Sequence, residues 1–161
     1  MATPARERLQ ESAHVLHLDD AADEVFRLMM GAPCLPVEES VTEGGETITA
    51  VIGLAGVMSG ACTLRCDLET ALRMAECMVG TRPLELDAMV KDAIGEVCNM
   101  VAGAWKGRHA GLAGGCMLST PAVVTGANYQ LHMQQQEFRI DRRYCFEEHI
   151  VSISIICESI Q

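Results

Sequence analysis

No apolar run in this chain approaches the ~20 residues that a helix needs to cross a bilayer, and the first twenty residues lack the continuous apolar core of a signal peptide. A cytoplasmic protein is expected. Basic charge is also short: 12 Lys and Arg stand against 22 Asp and Glu, a formal net charge of -10. That balance opposes phosphate backbones and anionic lipid through long-range repulsion, so nucleic acid and membrane surfaces are not expected partners. Neither CxxC nor HExxH occurs, and the eight cysteines are too scattered for the disulfide framework of a secreted mini-protein. They read as reduced, small, buried hydrophobes. Internal repeats, low-complexity tracts and linkers are missing too, which leaves one domain.

Its 161 residues, 49% hydrophobic and 21% charged, suffice to bury a sizeable core without a metal or disulfides. "AADEVFRLMMG" (residues 21–31) follows Asp19 and Asp20 as N-cap candidates and stops at Gly31 before Pro33, predicting a first helix. From Glu46 the period becomes two. Ile48, Ala50, Ile52 and Leu54 share one face, "AGVMSG" turns the chain, and Cys62, Leu64 and Cys66 share a face of the returning strand.

Asp67 caps a second predicted helix, "LETALRMAECMVG", which Gly80 ends. A third should run over residues 86–108 until "AGLAGG" breaks it. Strands follow in "PAVVTG", "ANYQLHMQQQEFRI" and "HIVSISIIC", the last with Val151, Ile153 and Ile155 on one side. The order α-ββ-αα-βββ predicts an α+β domain, an antiparallel or mixed sheet with helices on one face. The domain is expected over residues 19–161, behind an N-terminal extension, residues 1–18.

On a helical wheel Val90, Ile94, Val97, Val101 and Ala104 of the third helix fall in a stripe roughly 80° wide, the expected sheet-facing side. Asp92, Glu96, Asn99 and Gly103 fall about 150° away, facing outward. Exposed Glu and Asn are usually ordinary solvated residues. Here Asn99 costs a few tenths of a kcal/mol relative to better helix formers, and Gly103 about 1 kcal/mol more, on one face with no packing to offset either. Gly103 also leaves that face flat, so another molecule's backbone has room to approach. The three residues mark a candidate binding surface.

"DAIGEVCNMVAG" resembles the signature of CheX-type chemotaxis phosphatases, of the family that includes CheC and FliY and is marked by Glu-x-x-Asn on an exposed helix. "EVFRLMMG", "AVIGLAGVMSGACTLRC", "ALRMAECMVG" and "STPAVVTG" extend the resemblance over roughly residues 20–158. With one motif helix and no second copy, the chain is more similar to CheX than to CheC.

The resemblance implies a phosphatase acting on the aspartyl phosphate of a phosphorylated CheY-like response regulator. Asn99 would orient the attacking water, its amide both accepting and donating hydrogen bonds without acquiring charge. Glu96 would dock to the regulator's active-site lysine. The implied Mg²⁺ is the regulator's, with no metal or other cofactor held by this chain. A homodimer formed through the sheets is also implied, with "YCFEEHIVSISIIC" as an available edge. Asp92 shares the face but is equally an ordinary charge of a helix's first turns and stays outside the catalytic set.

Other chemistries fit less well. Cys62, Cys66, Cys116, His109 and His132 are eligible zinc ligands, but Cys62 and Cys66 face the core with Leu64. "GLAGG" lacks the Gly-Lys-Ser/Thr ending of a phosphate loop, and Ser119 and Cys98 have no nucleophile elbow or partner pattern. The competing reading is a noncatalytic CheX-like module that docks a signalling partner through the same face, and Asn99 discriminates, because docking alone has no need of a water-orienting amide.

Overall fold

The computed structural model of the protein describes residues 4–39 and 45–161. Its elements run α1 (Pro4–Met30), β1 (Cys34–Pro36), β2 (Thr47–Gly56), β3 (Met58–Asp67), α2 (Leu68–Val79), α3 (Ala88–Gly107), β4 (Cys116–Leu118), β5 (Ala122–Gly126), β6 (Phe138–Phe146) and β7 (His149–Ile160). The seven strands form one antiparallel sheet in the order β1-β6-β7-β3-β2-β4, with β5 also paired to β2. This is the expected α+β architecture.

The period-two faces behave as read. Ile48, Ala50, Ile52, Cys62, Leu64, Cys66, Val151, Ile153 and Ile155 are all fully buried, and they meet the helices in a single core. Opposite them Thr49, Thr63 and Ser154 line the sheet's other face. Both middle helices begin as the sequence dictates: Asp67 accepts a hydrogen bond from Thr70 N at 2.8 Å, and Asp87 one from Val90 N at 3.0 Å. At the end of α2, Gly80 takes the left-handed conformation, φ 94°, that a side chain would resist.

Four expectations change. The first helix starts at Pro4, not after Asp20. Asp19 lies within it and does not cap it: its carboxylate accepts two hydrogen bonds from Arg142, at 2.9 and 2.7 Å, and one from the Tyr144 hydroxyl at 2.6 Å. Within the helix Leu18 is fully buried and Leu28 is 72% exposed. Residues 127–137 leave the sheet, so the predicted strand there begins only at Phe138.

Lastly, β7 is no edge, because it pairs with β3 on one side and β6 on the other. Sequence-adjacent strands need not be outermost, and here the short β1 takes the position beyond β6.

Candidate functional site

Helix α3 lies across β2 and β3 and against α1, held at several points along its length. At its middle the buried Cys98 thiol points at the carbonyls of Ala50 and Cys62, at 3.7 and 3.6 Å. Hydrogen bonding with Cys62 and burial hold that thiol protonated, well above its ordinary pKa, so it is a packing group and not a nucleophile. Toward the C-terminus, Trp105 Nε1 donates to His14 O at 3.3 Å, Lys106 Nζ to Cys116 O, and Arg108 pairs with Glu24. The helix is a rigid mount.

Its buried side is wider than the five-residue stripe: Ala93, Gly95, Cys98, Ala102 and Trp105 are buried with Val90, Ile94, Val97 and Val101, whereas Ala104 is only partly covered. The remaining surface is narrow. Asp92 and Glu96 are exposed and Asn99 partly so, in the outward direction expected. Glu96 and Asn99, three residues apart, are neighbours on that surface, with Cβ atoms about 5–6 Å from one another. Among the described residues, no hydrogen bond or ion pair engages either side chain. Both are free to bind something else.

Gly103 is partly buried, and an added Cβ would lie 3.8 Å from Leu118 Cδ1. The flat patch it leaves is therefore bordered by the chain's own β4.

Gly95, present in the sequence motif without an evident task, has a structural one. A Cβ there would stand 3.0 Å from Pro121 Cβ and 3.4 Å from its Cγ. The helix next to Glu96 thus rests directly on residues 119–121, the link from β4 to β5. That link is fixed in turn: Ser119 N donates to Gly53 O at 2.9 Å, and Gly53 N donates to Ser119 Oγ at 2.8 Å. Sequence reasoning began a strand at Pro121 and missed this support; the only signal was a buried-side glycine where alanine is the better helix former.

The eligible zinc ligands are dispersed. Cys62 and Cys66 are buried on β3, Cys116 lies on β4, His109 packs among His14, His17 and Trp105, and His132 lies in the segment before β6. Among the described residues no group of three His, Cys, Asp or Glu is placed to hold a metal ion, and no helix is long and apolar enough to cross a membrane.

A family model described as chemotaxis phosphatase CheX matches residues 48–141, a span that contains all of α3. No curated protein sequence gives a significant match. Among solved structures, the chain is similar to the chemotaxis protein CheX from Vibrio vulnificus, with 25% identity, 90% of this chain and 96% of that chain covered, and a TM-score of 0.76. It shares its fold with CheX in the CheX-CheY-BeF3-Mg²⁺ complex from Borrelia burgdorferi, with 22% identity, coverage of 91% and 98%, and a TM-score of 0.74. The same fold recurs in FliY from Thermotoga maritima, with 17% identity, coverage of 98% and 92%, and a TM-score of 0.68.

Proposed function

The chain belongs to the chemotaxis phosphatase CheX family, and from that premise we propose that it accelerates hydrolysis of the aspartyl phosphate of a CheY-like response regulator in the cytoplasm. In this reading Asn99 orients the attacking water and Glu96 docks to the regulator's active-site lysine. The observation that carries it is the pair itself, two polar side chains on one outward face of a rigidly mounted helix, neither engaged by another of the described residues.

An acyl phosphate is already reactive, so the catalyst's task is to hold a water in line with phosphorus while charge develops. The Asn99 amide suits this, because its oxygen can accept from the water without placing a negative charge beside the phosphoryl group. Glu96 supplies the opposite property, a fixed carboxylate that forms a charge-assisted bond to an ammonium and sets the docking geometry. The Mg²⁺ belongs to the regulator in this proposal. A CheX of the same fold from Borrelia burgdorferi is in complex with CheY, BeF3 and Mg²⁺, which supports both the partner and the source of the metal.

The catalytic unit proposed is residues 19–161, assembled as a homodimer through the sheet. Light scattering on the purified protein tests the dimer, and a monomeric mass overturns that part alone.

The central test is the decay of a phosphorylated regulator with Mg²⁺, with and without the protein. Acceleration is expected from the parent and a loss of about 10²-fold or more from Asn99→Ala, with the fold retained, a magnitude usual for removing one positioned polar group. Glu96→Ala should weaken both regulator binding and rate. A module that only docks would bind the regulator and leave its decay unchanged, and an Asn99→Ala variant as active as the parent would refute the assignment of the water.

A further inference from the structure

We propose that the sheet face turned away from the helices carries a binding site for a small phosphate-bearing molecule, centred on Arg65 and Arg143. A cleft of about 460 Å³ opens there. The ladder registers set its charge: Arg65 on β3 stands opposite Ser152 on β7, which stands opposite Arg143 on β6, so the three share one side of the sheet. Two strand spacings, about 9–10 Å, separate the backbones of the two arginines, with Ser152 on the strand between them. Two residue pairs further along, on the same face, Thr63 stands opposite Ser154, continuing the hydroxyl-lined floor.

Arg65 is the telling residue. Its Nε is buried without a hydrogen-bond partner, and among the described residues no carboxylate pairs with it. The guanidinium lies under the Tyr129 ring, 5.3 Å from the centroid. Tyr129 is fixed over the sheet by the turn at Gly126 and Asn128, with φ of 145° and 57°, and by a 2.5 Å hydrogen bond between its hydroxyl and Thr49. A buried guanidinium N–H without an acceptor is a cost that a bound oxyanion would remove.

The other charges nearby are already committed. Arg139 donates to Asp141 at 2.9 and 2.8 Å, Ser154 donates to the same carboxylate at 2.5 Å, and Arg142 is bound to Asp19. Among the described residues Arg143 spends one N–H on Glu38 O, at 2.9 Å, and no other. What remains is two guanidinium groups with hydroxyls between them. A phosphoryl group fits these better than a single carboxylate does, because its terminal oxygens can accept from both arginines and a hydroxyl at once.

Calorimetric titration of the whole chain with pyrophosphate and with inorganic phosphate, at fixed ionic strength in chloride, tests the site, with succinate as the carboxylate comparison. Saturable pyrophosphate binding, one per chain, is expected, weakened about tenfold or more by Arg65→Gln and by Arg143→Gln. Asn99→Ala should bind as the parent does, since its helix lies on the other face. Arg143 is exposed, so its substitution keeps the fold and the result is readable even where Arg65→Gln unfolds. Failure to saturate, succinate binding as tight as pyrophosphate, or an Arg143→Gln variant with parental affinity would each overturn the proposal.

Discussion

Replacing glycine by alanine at two positions of α3 should change stability in opposite directions. Helix propensity alone favours alanine by about 1 kcal/mol at either position. At Gly103 little opposes that gain, because the new Cβ would sit 3.8 Å from Leu118 Cδ1, an ordinary van der Waals contact. Gly95 differs, since its Cβ would sit 3.0 Å from Pro121 Cβ. A proline ring cannot rotate aside, and its neighbours are tied down by the two Ser119–Gly53 hydrogen bonds and by the β5–β2 pairing that begins at Ala122. Overpacking of this kind costs about 1–3 kcal/mol, which outweighs the propensity gain and leaves a net loss of about 1 kcal/mol. The two variants should therefore differ by about 2 kcal/mol. With a urea dependence of about 2 kcal/mol per molar, their unfolding midpoints should separate by roughly 1 M, Gly103→Ala above the parent and Gly95→Ala below it. A Gly95→Ala midpoint raised as far as that of Gly103→Ala would show that the helix does not rest on Pro121, and the account of how the site is mounted would fail.

Three further outcomes follow from the same geometry. Gly103→Ala, although stabilising, should slow decay of the phosphorylated regulator if the flat patch receives the regulator's backbone; a rate equal to the parent's removes Gly103 from the docking face. Asp19→Ala strips the carboxylate from Arg142 and Tyr144 and should cost about 3 kcal/mol, or roughly 10 °C in Tm by calorimetry, a shift under about 2 °C refuting it. Burial, with the nearby imidazoles of His14 and His17, pushes His109 down to about 4. The unfolded chain, near 6.5, then takes up the proton first, so stability present above pH 6.5 is lost as pH falls toward 4. Solvent screening of a partly exposed ring limits the loss to about 1 kcal/mol. Urea midpoints at pH 7 and pH 4.5 should differ less in His109→Gln than in the parent, and an unchanged difference would exclude His109 as the source.

What could be read in advance follows the range of the interactions involved. Helices α2 and α3 were legible because their signals are local: Asp67 and Gly80 bracket one, and the apolar stripes of both repeat within a few turns. The outward direction of Glu96 and Asn99 comes from the same periodicity. Asp19 misled because a local reading makes it an N-cap, whereas its partners Arg142 and Tyr144 lie more than a hundred residues away. Residues 127–134 alternate apolar and polar side chains as a strand does, yet the positive φ values at Gly126 and Asn128 turn the chain over the sheet face. The support under Glu96 was equally hidden, since Gly95 and Pro121 meet only once the link between β4 and β5 passes beside the helix.

Net charge shows the same limitation from the other side. A total of -10 opposes a polyanion, whose many phosphates are repelled over distances comparable to the ~10 Å screening length. It says little about a small anion at contact, where two guanidinium groups and a hydroxyl outweigh charges spread over the rest of the surface. Arg65 and Arg143 are 78 positions apart in sequence and adjacent only through the pairing of β3, β7 and β6. An acidic composition and a basic cleft are therefore compatible, and the sign that governs small-molecule binding is set by strand order, which no sum over the sequence contains.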